Sequence, residues 1–375
     1  MHDVLGVAKQ RLACEIDSNF VLQSKPIAAD PWVISSLLQK SIRRGEMEIA
    51  QRAALTFWKF KGAAIWRRLM VIAFEDIGIG AVDTLTRTVS VGSDSVWRKQ
   101  HGGDVVLAVQ LAGALAVATK DRSADYLCQA NDHPVLTDFA RAMANASLEA
   151  RLTTVRDKML DLPQRAVAAL SVLSTGSRGE ISRTTSGLDA LPVTFRELGV
   201  PEELVVASGI AAARTREPIT LMVPLIWLAA NSSQKAAGDC PVPPLVTSGE
   251  VPLYALDQHT RLGRLAIWRF ACENQSVRSC LARFVPARQT RSAAYIAAFY
   301  VDAAPIARRL IWNQSEVLEA FGIERDLLHA GVSAEGVEPL LKTMRANLGH
   351  LNELRAEALA SSESAPIGQA SQVDV

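Results

Sequence analysis

Two consecutive acids inside an apolar stretch are the first residues in this sequence whose types suggest chemistry. Glu75 and Asp76 lie near the end of the apolar run 64–78, and Arg67 and Arg68 precede them by about two helical turns. Burial of such charges is costly unless each has an opposite charge beside it. Neighbouring helical positions point about 100° apart, so the two carboxylates do not easily share one metal ion. We interpret the four residues as a structural ion-pair network, with a catalytic or metal-binding acidic pair as the alternative.

A run of arginines with aromatic residues between them, from 251 to 312, is the second such group. It holds nine arginines, three acids and no lysine, and nine minus three gives a net charge of +6. Arginine makes bidentate contacts with phosphate, and aromatic rings stack on the bases of single strands. The residues expected to contact nucleic acid are Arg261, Arg264, Arg269, Arg278, Arg283, Arg288, Arg291 and Trp268.

The alternative for this run is an internal or intersubunit match of charges. Residues 313–375 contain ten acids and four bases, so they could neutralise the arginines, and the aromatic residues could form a core.

One enzymatic hypothesis concerns Asp257, His259 and Arg261, with His259 as a candidate general base. At positions i, i+2 and i+4 they do not share a helical face, although Asp257 and Arg261 can pair. A structural or capping role is the favoured interpretation.

The elements that would position the first group are three helices between residues 32 and 77. Ile34, Leu37, Leu38 and Ile42 recur at helical spacing, which predicts an amphipathic helix. A second helix is predicted over residues 46–60 and a third over residues 63–77. The third is apolar on most of its surface, which is typical of a buried helix.

The order and spacing of motifs in these helices resemble a known family. The matching segments are Gln39-Lys40-Ser41-Ile42-Arg43, Ile65-Trp66-Arg67-Arg68-Leu69, Glu75-Asp76-Ile77-Gly78 and, further on, Lys120-Asp121-Arg122-Ser123-Ala124-Asp125-Tyr126. Residues 30–135 are similar to the helical C-terminal region of the RarA/MgsA family. This family includes the Werner-helicase-interacting proteins and belongs to the AAA+ ATPases related to clamp-loader subunits. The resemblance implies an all-helical, collar-like region that assembles oligomers.

The sequence departs from that family in its nucleotide chemistry. Only about thirty residues precede the similar region, and no Gly-x-x-x-x-Gly-Lys-Ser/Thr loop occurs in the chain. We interpret the serine-, threonine- and glycine-rich segment 174–186 as an exposed loop and a domain boundary. A phosphate-binding loop is the alternative interpretation. We therefore expect no ATPase activity, no other enzymatic activity, no cofactor and no metal site.

Composition is that of an ordinary globular protein. Hydrophobic residues make up 49% of the 375 residues, charged residues 21%, and the net charge is +1. The five cysteines show no Cys-x-x-Cys spacing, which favours a reducing, cytoplasmic location and no structural zinc. Residues 221–230 are apolar but too short for a membrane span, and we expect no membrane partner.

The predicted fold is mainly α, with a clamp-loader-collar-like helical domain followed by a second helical domain. The expected divisions are an N-terminal helix and connector (1–30), a collar-like domain (31–175), a loop-rich middle region (176–250), an Arg-rich helical domain (251–360) and a disordered tail (361–375). The favoured function is a non-enzymatic, self-associating scaffold of DNA replication, recombination or repair. Its expected partners are a second copy of the chain, DNA, and an AAA+ ATPase or replication protein acting in trans. A stand-alone DNA- or RNA-binding protein that uses residues 251–312 is the alternative.

Overall fold

The computed structural model describes residues 4–13, 25–173, 181 and 187–363. These residues are mainly helical, so the predicted mainly α fold is confirmed. In chain order the first ten helices are α1 (Gly6–Ala13), α2 (Pro31–Arg43), α3 (Met47–Lys61), α4 (Ala64–Ile72), α5 (Val82–Ser93), α6 (Ser95–Gln100), α7 (Gly103–Val117), α8 (Ser123–Leu127), α9 (Thr137–Asn145) and α10 (Leu148–Arg156). The others are α11 (Leu162–Leu173), α12 (Gly187–Glu197), α13 (Glu202–Thr215), α14 (Ile219–Ala230), α15 (Arg261–Glu273), α16 (Gln275–Phe284), α17 (Thr290–Ala298), α18 (Ser315–His329), α19 (Val337–Ala346) and α20 (Leu348–Glu363).

Short elements connect these helices. Two π-helical turns, π1 (Ala73–Ile77) and π2 (Phe299–Ala303), continue α4 and α17. Four short strands are β1 (Ala236–Asp239), β2 (Thr247–Ser248), β3 (Val251–Pro252) and β4 (Arg308–Ile311). β1 pairs antiparallel with β4, from Ala236 opposite Ile311 to Asp239 opposite Arg308, and β2 pairs antiparallel with β3. Within the described residues, no helix has both the length and the apolar character that crossing a bilayer requires.

The chain divides into two compact units that differ from the predicted divisions. Unit 1 comprises Met1–Ile27, Leu38–Val242 and Pro305–His329, and unit 2 comprises Ala28–Leu37, Pro243–Ala304 and Ala330–Val375. The predicted boundary at 174–186 lies outside the described residues except for Ile181, as does the predicted tail from residue 364 onward. The region 176–250, expected to be rich in loops, contains α12, α13 and α14.

The core of unit 1 is built from helices with little polar surface. α7 and α14 are apolar almost all round, and α3 packs along α7. A helix of this kind must be covered on most sides, which explains why neighbouring helices surround it. α4 follows the same rule, because Ile65, Leu69 and Ile72 on it are fully buried against neighbours such as α5 and α13.

The end of α4 is shaped by the π1 turn. Its wider spacing gives a hydrogen bond from the Gly78 amide to the Ala73 carbonyl, five residues earlier. Gly78 has a φ of +48°, and a Cβ there would lie 2.5 Å from the Asp121 carbonyl oxygen. Only glycine fits this left-handed close approach, so Gly78 ends the turn and brings the chain before α8 beside it.

Each unit contains a nine-residue helix that continues into a five-residue π-helical turn. α4 with π1 begins at residue 64 and α17 with π2 begins at residue 290, so the two pairs lie 226 residues apart with identical lengths. In both, the amide after the turn donates to the carbonyl of its first residue, and a buried aspartate stands fourth in the turn, Asp76 in π1 and Asp302 in π2. At this offset only four residues of the stretch 31–77 are identical to those of 257–303. The two helix–turn pairs are therefore alike in length, in their end and in the place of the aspartate, although their sequences are not.

Candidate functional site

The acids of π1 lie in a buried network of charges in unit 1. Asp76 is fully buried, and its carboxylate accepts from Gln39 Nε2 at 2.8 Å and from Arg43 Nε at 2.6 Å. Glu75 accepts from Arg43 Nη2 at 2.5 Å. Both carboxylates therefore reach one guanidinium, although we expected consecutive positions to diverge. The π-helical turn is the physical reason, because its geometry differs from that of the regular α-helix assumed in the prediction.

A second arginine enters the network from the start of α8. Arg122 Nε lies 3.3 Å from Asp76 Oδ1, and Arg122 Nη2 lies 3.8 Å from Glu75 Oε1. Arg122 also forms a short ion pair with Asp125. Arg43, Arg122 and Gln39 were not among the predicted site residues, although each belongs to a motif that carries the family resemblance.

The two predicted arginines have different surroundings. Arg68 Nη2 donates to Gln39 Oε1 at 2.7 Å, so Arg68 lies at the edge of the network. Arg67 does not take part, which corrects the predicted grouping. It points to the other side of α4, is half-exposed, and donates from Nη2 to the Thr215 carbonyl and to Glu217. Consecutive residues on a regular helix diverge in this way.

The electrostatics of the network have opposite effects on its two outer acids. Burial raises the pKa of Glu75, but Arg43, Arg122 and Arg68 lower it, and the pKa falls to about 2. Burial raises the pKa of Asp125 to about 6, against the lowering effect of Arg122. Three arginines face three carboxylates, so the network is neutral when all are ionised. It holds helices together and offers no surplus charge to a ligand.

The arginines of unit 2 form a different kind of site. Arg261, Arg264 and Trp268 recur at i, i+3 and i+7 along α15, so they share one face of that helix. Arg291 at the start of α17 lies with its guanidinium carbon 4.5 Å from the centre of the Trp268 ring. This cation–π contact places α17 beside that face. We name Arg261, Arg264, Trp268 and Arg291 the arginine face.

The arginine face is open to solvent and positively charged. Its three arginines are exposed, and Trp268 is partly exposed. None of the carboxylates in the described residues lies within 4.0 Å of these guanidinium groups. An exposed arginine next to an accessible indole offers both a phosphate contact and a stacking surface.

The remaining predicted arginines do not all resemble those of the face. Arg278, Arg283 and Arg288 are exposed, and Arg283 stacks on the Phe284 ring at 4.9 Å. Arg269 is a correction to the predicted set, because it pairs with Glu273 at 2.9 Å and with Glu357 at 3.0 Å. Glu357 belongs to the acid-rich segment that was expected as the alternative partner. An internal match of charges is therefore found at Arg269.

Several aromatic residues of the arginine-rich run are core and cannot stack on a ligand. Phe270, Tyr300 and Trp312 are buried, and Trp312 Nε1 donates to Asp121 Oδ2 at 2.9 Å. Trp268 and Tyr295 are partly exposed. Burial therefore reduces the set of aromatic residues that can contact a ligand.

Asp257 and His259, the residues of the enzymatic hypothesis, lie in a turn and not in a helix. Asp257 is fully buried before α15, and its carboxylate accepts from the His259 amide at 3.0 Å. Arg261 is exposed and does not pair with Asp257, since α15 begins only at Arg261. The His259 ring is exposed and meets the Phe299 ring edge-on at 6.0 Å. No three His, Cys, Asp or Glu side chains within the described ranges form a group that could hold a metal ion.

Comparisons with known proteins add no relative. The chain matches no protein-family model, no curated protein and no solved structure. The resemblance of residues 30–135 to the RarA/MgsA family therefore stays a prediction, and so does the function that it implies.

Proposed function

We propose that this chain is a non-enzymatic helical protein of DNA replication, recombination or repair that binds single-stranded nucleic acid through the arginine face. The observation that carries the proposal is the contact of Arg291 with Trp268, beside two further arginines without an acid partner in the described chain. Phosphates would bind the guanidinium groups, and bases would stack on the exposed part of the indole.

A comparison of α4 with α17 supports this surface as a place for a ligand. Ile65, Trp66 and Leu69 of α4 are buried by other helices of unit 1. The residues that stand 226 positions later in α17 are Arg291, Ser292 and Tyr295, of which the first two are exposed. The side that is buried on α4 is therefore uncovered on α17, where it carries Arg291. An uncovered side with this composition suits a polyanion better than an apolar protein surface.

Single-stranded nucleic acid is favoured over a duplex because of the aromatic ring. Stacking on an indole requires an unpaired base, whereas a duplex would use the arginines alone. Each stacked base contributes about 1–3 kcal/mol. Trp268→Ala should therefore weaken single-strand binding by about 5- to 160-fold and leave weak duplex binding nearly unchanged.

Fluorescence anisotropy with a labelled oligothymidylate of twenty nucleotides tests the proposal. We expect Arg264→Ala and Arg291→Ala each to weaken binding several-fold, because each removes a phosphate contact. Arg269→Ala is the matched control, because its guanidinium is already neutralised by Glu273 and Glu357. Absence of binding at low salt, or equal losses in all three variants, would overturn the proposal. An oligouridylate in parallel separates RNA from DNA.

Self-association is the second part of the proposal and rests on the family resemblance of residues 30–135. It predicts a multimer by light scattering at micromolar concentration. The Arg264→Ala and Arg291→Ala variants should keep the mass of the wild-type particle, because their side chains lie outside residues 30–135. A monomer across the concentration range would remove the scaffold function and leave nucleic-acid binding standing.

A further inference from the structure

Unit 1 contains a cavity of about 340 Å³. It lies where α11 begins and where α12 and α14 end, and twelve residues line it without an acid among them. A cavity of this size holds a molecule at the small end of the ligand range. It is separate from the arginine face, which belongs to unit 2.

Arg165 in α11 is the polar anchor of this cavity. The residue is buried, with 7% of its surface exposed, and Nε donates to the Val155 carbonyl at 2.9 Å. Arginine has five N–H donors, and the other four donate to no described residue. No carboxylate of the described chain lies within 4.0 Å of the guanidinium. Burial lowers the pKa of Arg165, partly offset by Asp157, as expected for a buried cation without a close counter-charge.

The remaining lining residues are of two kinds. The polar ones are Lys158, Asn231, Ser232 and Gln314, and the apolar side chains are those of Leu160, Leu162, Leu198, Trp227, Leu228 and Ala229. The apolar side chains can cover an apolar or aromatic group while an anionic group reaches the arginine.

The nearby acids restrict the charge of the ligand. Asp157 and Asp161 are exposed on the loop that carries Lys158, although neither lines the cavity. They would repel a doubly charged phosphate more strongly than a single carboxylate. A carboxylate also matches the planar guanidinium, which binds it through two parallel hydrogen bonds.

We propose that this cavity binds a small organic monocarboxylate with an apolar or aromatic body. The carboxylate pairs with the guanidinium of Arg165, and the body lies against Leu198 and Trp227. This site is independent of nucleic-acid binding.

The test uses 3-phenylpropanoate as the probe, with ligand-observed saturation-transfer NMR on the full chain. Its uncharged analogue 3-phenylpropanol controls for apolar binding, and inorganic phosphate controls for binding of any anion. We expect the carboxylate to saturate with a dissociation constant of roughly 1–10 mM, in line with the affinity of small ligands per atom. The alcohol and phosphate should bind at least about 10-fold more weakly, because the alcohol lacks the carboxylate and phosphate lacks the apolar body.

Arg165→Met should abolish saturable binding, and Arg165→Lys should weaken it while keeping the charge. Arg141→Met is the matched control, because Arg141 is exposed and does not line this cavity. If Arg165→Met fails to fold, Leu198→Trp fills the cavity and leaves Arg165 in place. Equal binding of the alcohol, unchanged binding in the folded Arg165→Met or in Leu198→Trp, or no saturation up to 50 mM (an upper limit about five times the expected constant) would overturn the proposal.

Discussion

Asp76 shows how strongly a single residue of this chain is constrained. Its carboxylate is fully buried and contacts Gln39, Arg43 and Arg122. Ion pairs of this kind add little net stability compared with a well-packed apolar core, but removal of one partner leaves the others buried and uncompensated. The residue therefore holds three segments of unit 1 in one arrangement.

Asp76→Asn should destabilise the fold by about 3–5 kcal/mol, because Arg43 and Arg122 lose their shared counter-charge inside the protein. Urea denaturation followed by circular dichroism measures the change. Arg67→Gln is the control from the same region, since Arg67 is half-exposed and outside the network. It should change the free energy of unfolding by less than about 1 kcal/mol. A loss below 1 kcal/mol in Asp76→Asn would contradict the structural role of the network.

Glu75 predicts how stability changes in acid. Its folded pKa is about 2, below the ordinary value of 4.5, so its carboxylate stabilises the fold above pH 4.5. That contribution is lost as the pH falls from 4.5 to 2. Asp125, with a pKa raised to about 6, acts in the opposite direction, because its protonation favours the folded state as the pH falls through 6.

We therefore expect Glu75→Gln to be less stable than the wild type at pH 5 and to lose the difference by pH 2.5. Urea midpoints at half-unit pH intervals measure this convergence. Glu149→Gln, at an exposed glutamate, should give a curve parallel to the wild type. Parallel curves for Glu75→Gln would show that the arginines do not hold its pKa low.

Residue types alone indicated some of this chemistry. The arginines of the arginine face and the acids of π1 could be picked out because charge runs and charges within apolar helices are visible in a sequence. The partners could not be assigned from spacing, because Arg43 and Arg122 lie 33 and 46 positions from Asp76. Arg269 was placed with the ligand-binding arginines because its pairing with Glu357 joins residues 88 positions apart.

The two helices that continue into π-helical turns, α4 with π1 and α17 with π2, are the main feature at the scale of elements, and sequence reasoning did not predict the turns. Both turns carry a buried aspartate, but Asp76 pairs with Arg43 of α2 whereas Asp302 pairs with Arg355 of α20. Helical periodicity predicted α2, α3 and α4, whereas a π-helical turn has no simple pattern of apolar residues. The covered and uncovered sides of α4 and α17 differ because other helices surround only α4 on that side.

The start of α15 gives a prediction about backbone packing. The Thr260 hydroxyl accepts from the Gly263 amide at 3.0 Å, and a Cβ on Gly263 would lie 2.1 Å from the Asp257 carbonyl oxygen. Gly263→Ala should therefore destabilise the fold by more than about 2 kcal/mol, because the backbone of the turn must move. Gly209→Ala, within α13 and with nothing within 4 Å of its Cβ position, should stabilise it by about 0.5–1 kcal/mol. Thermal unfolding of both variants measures the contrast, and equal shifts would contradict the packing at Gly263.

The charge of the whole molecule determines how its nucleic-acid binding should respond to salt. The net charge is +1, so long-range attraction to a polyanion is small and the arginine face must supply the affinity. The face has three exposed arginines, and the exposed Arg288 precedes Arg291 by three positions. We therefore expect about four phosphate contacts. Each contact on a single strand contributes about −0.7 to the slope of log K against log salt concentration, which predicts a slope of about −3.

Anisotropy titrations between roughly 50 and 200 mM salt measure this slope. Arg264→Ala should reduce it by about 0.7, whereas Arg269→Ala should leave it unchanged because its charge is already neutralised. A steeper slope that no arginine of the face alters would place the phosphate contacts elsewhere on the molecule.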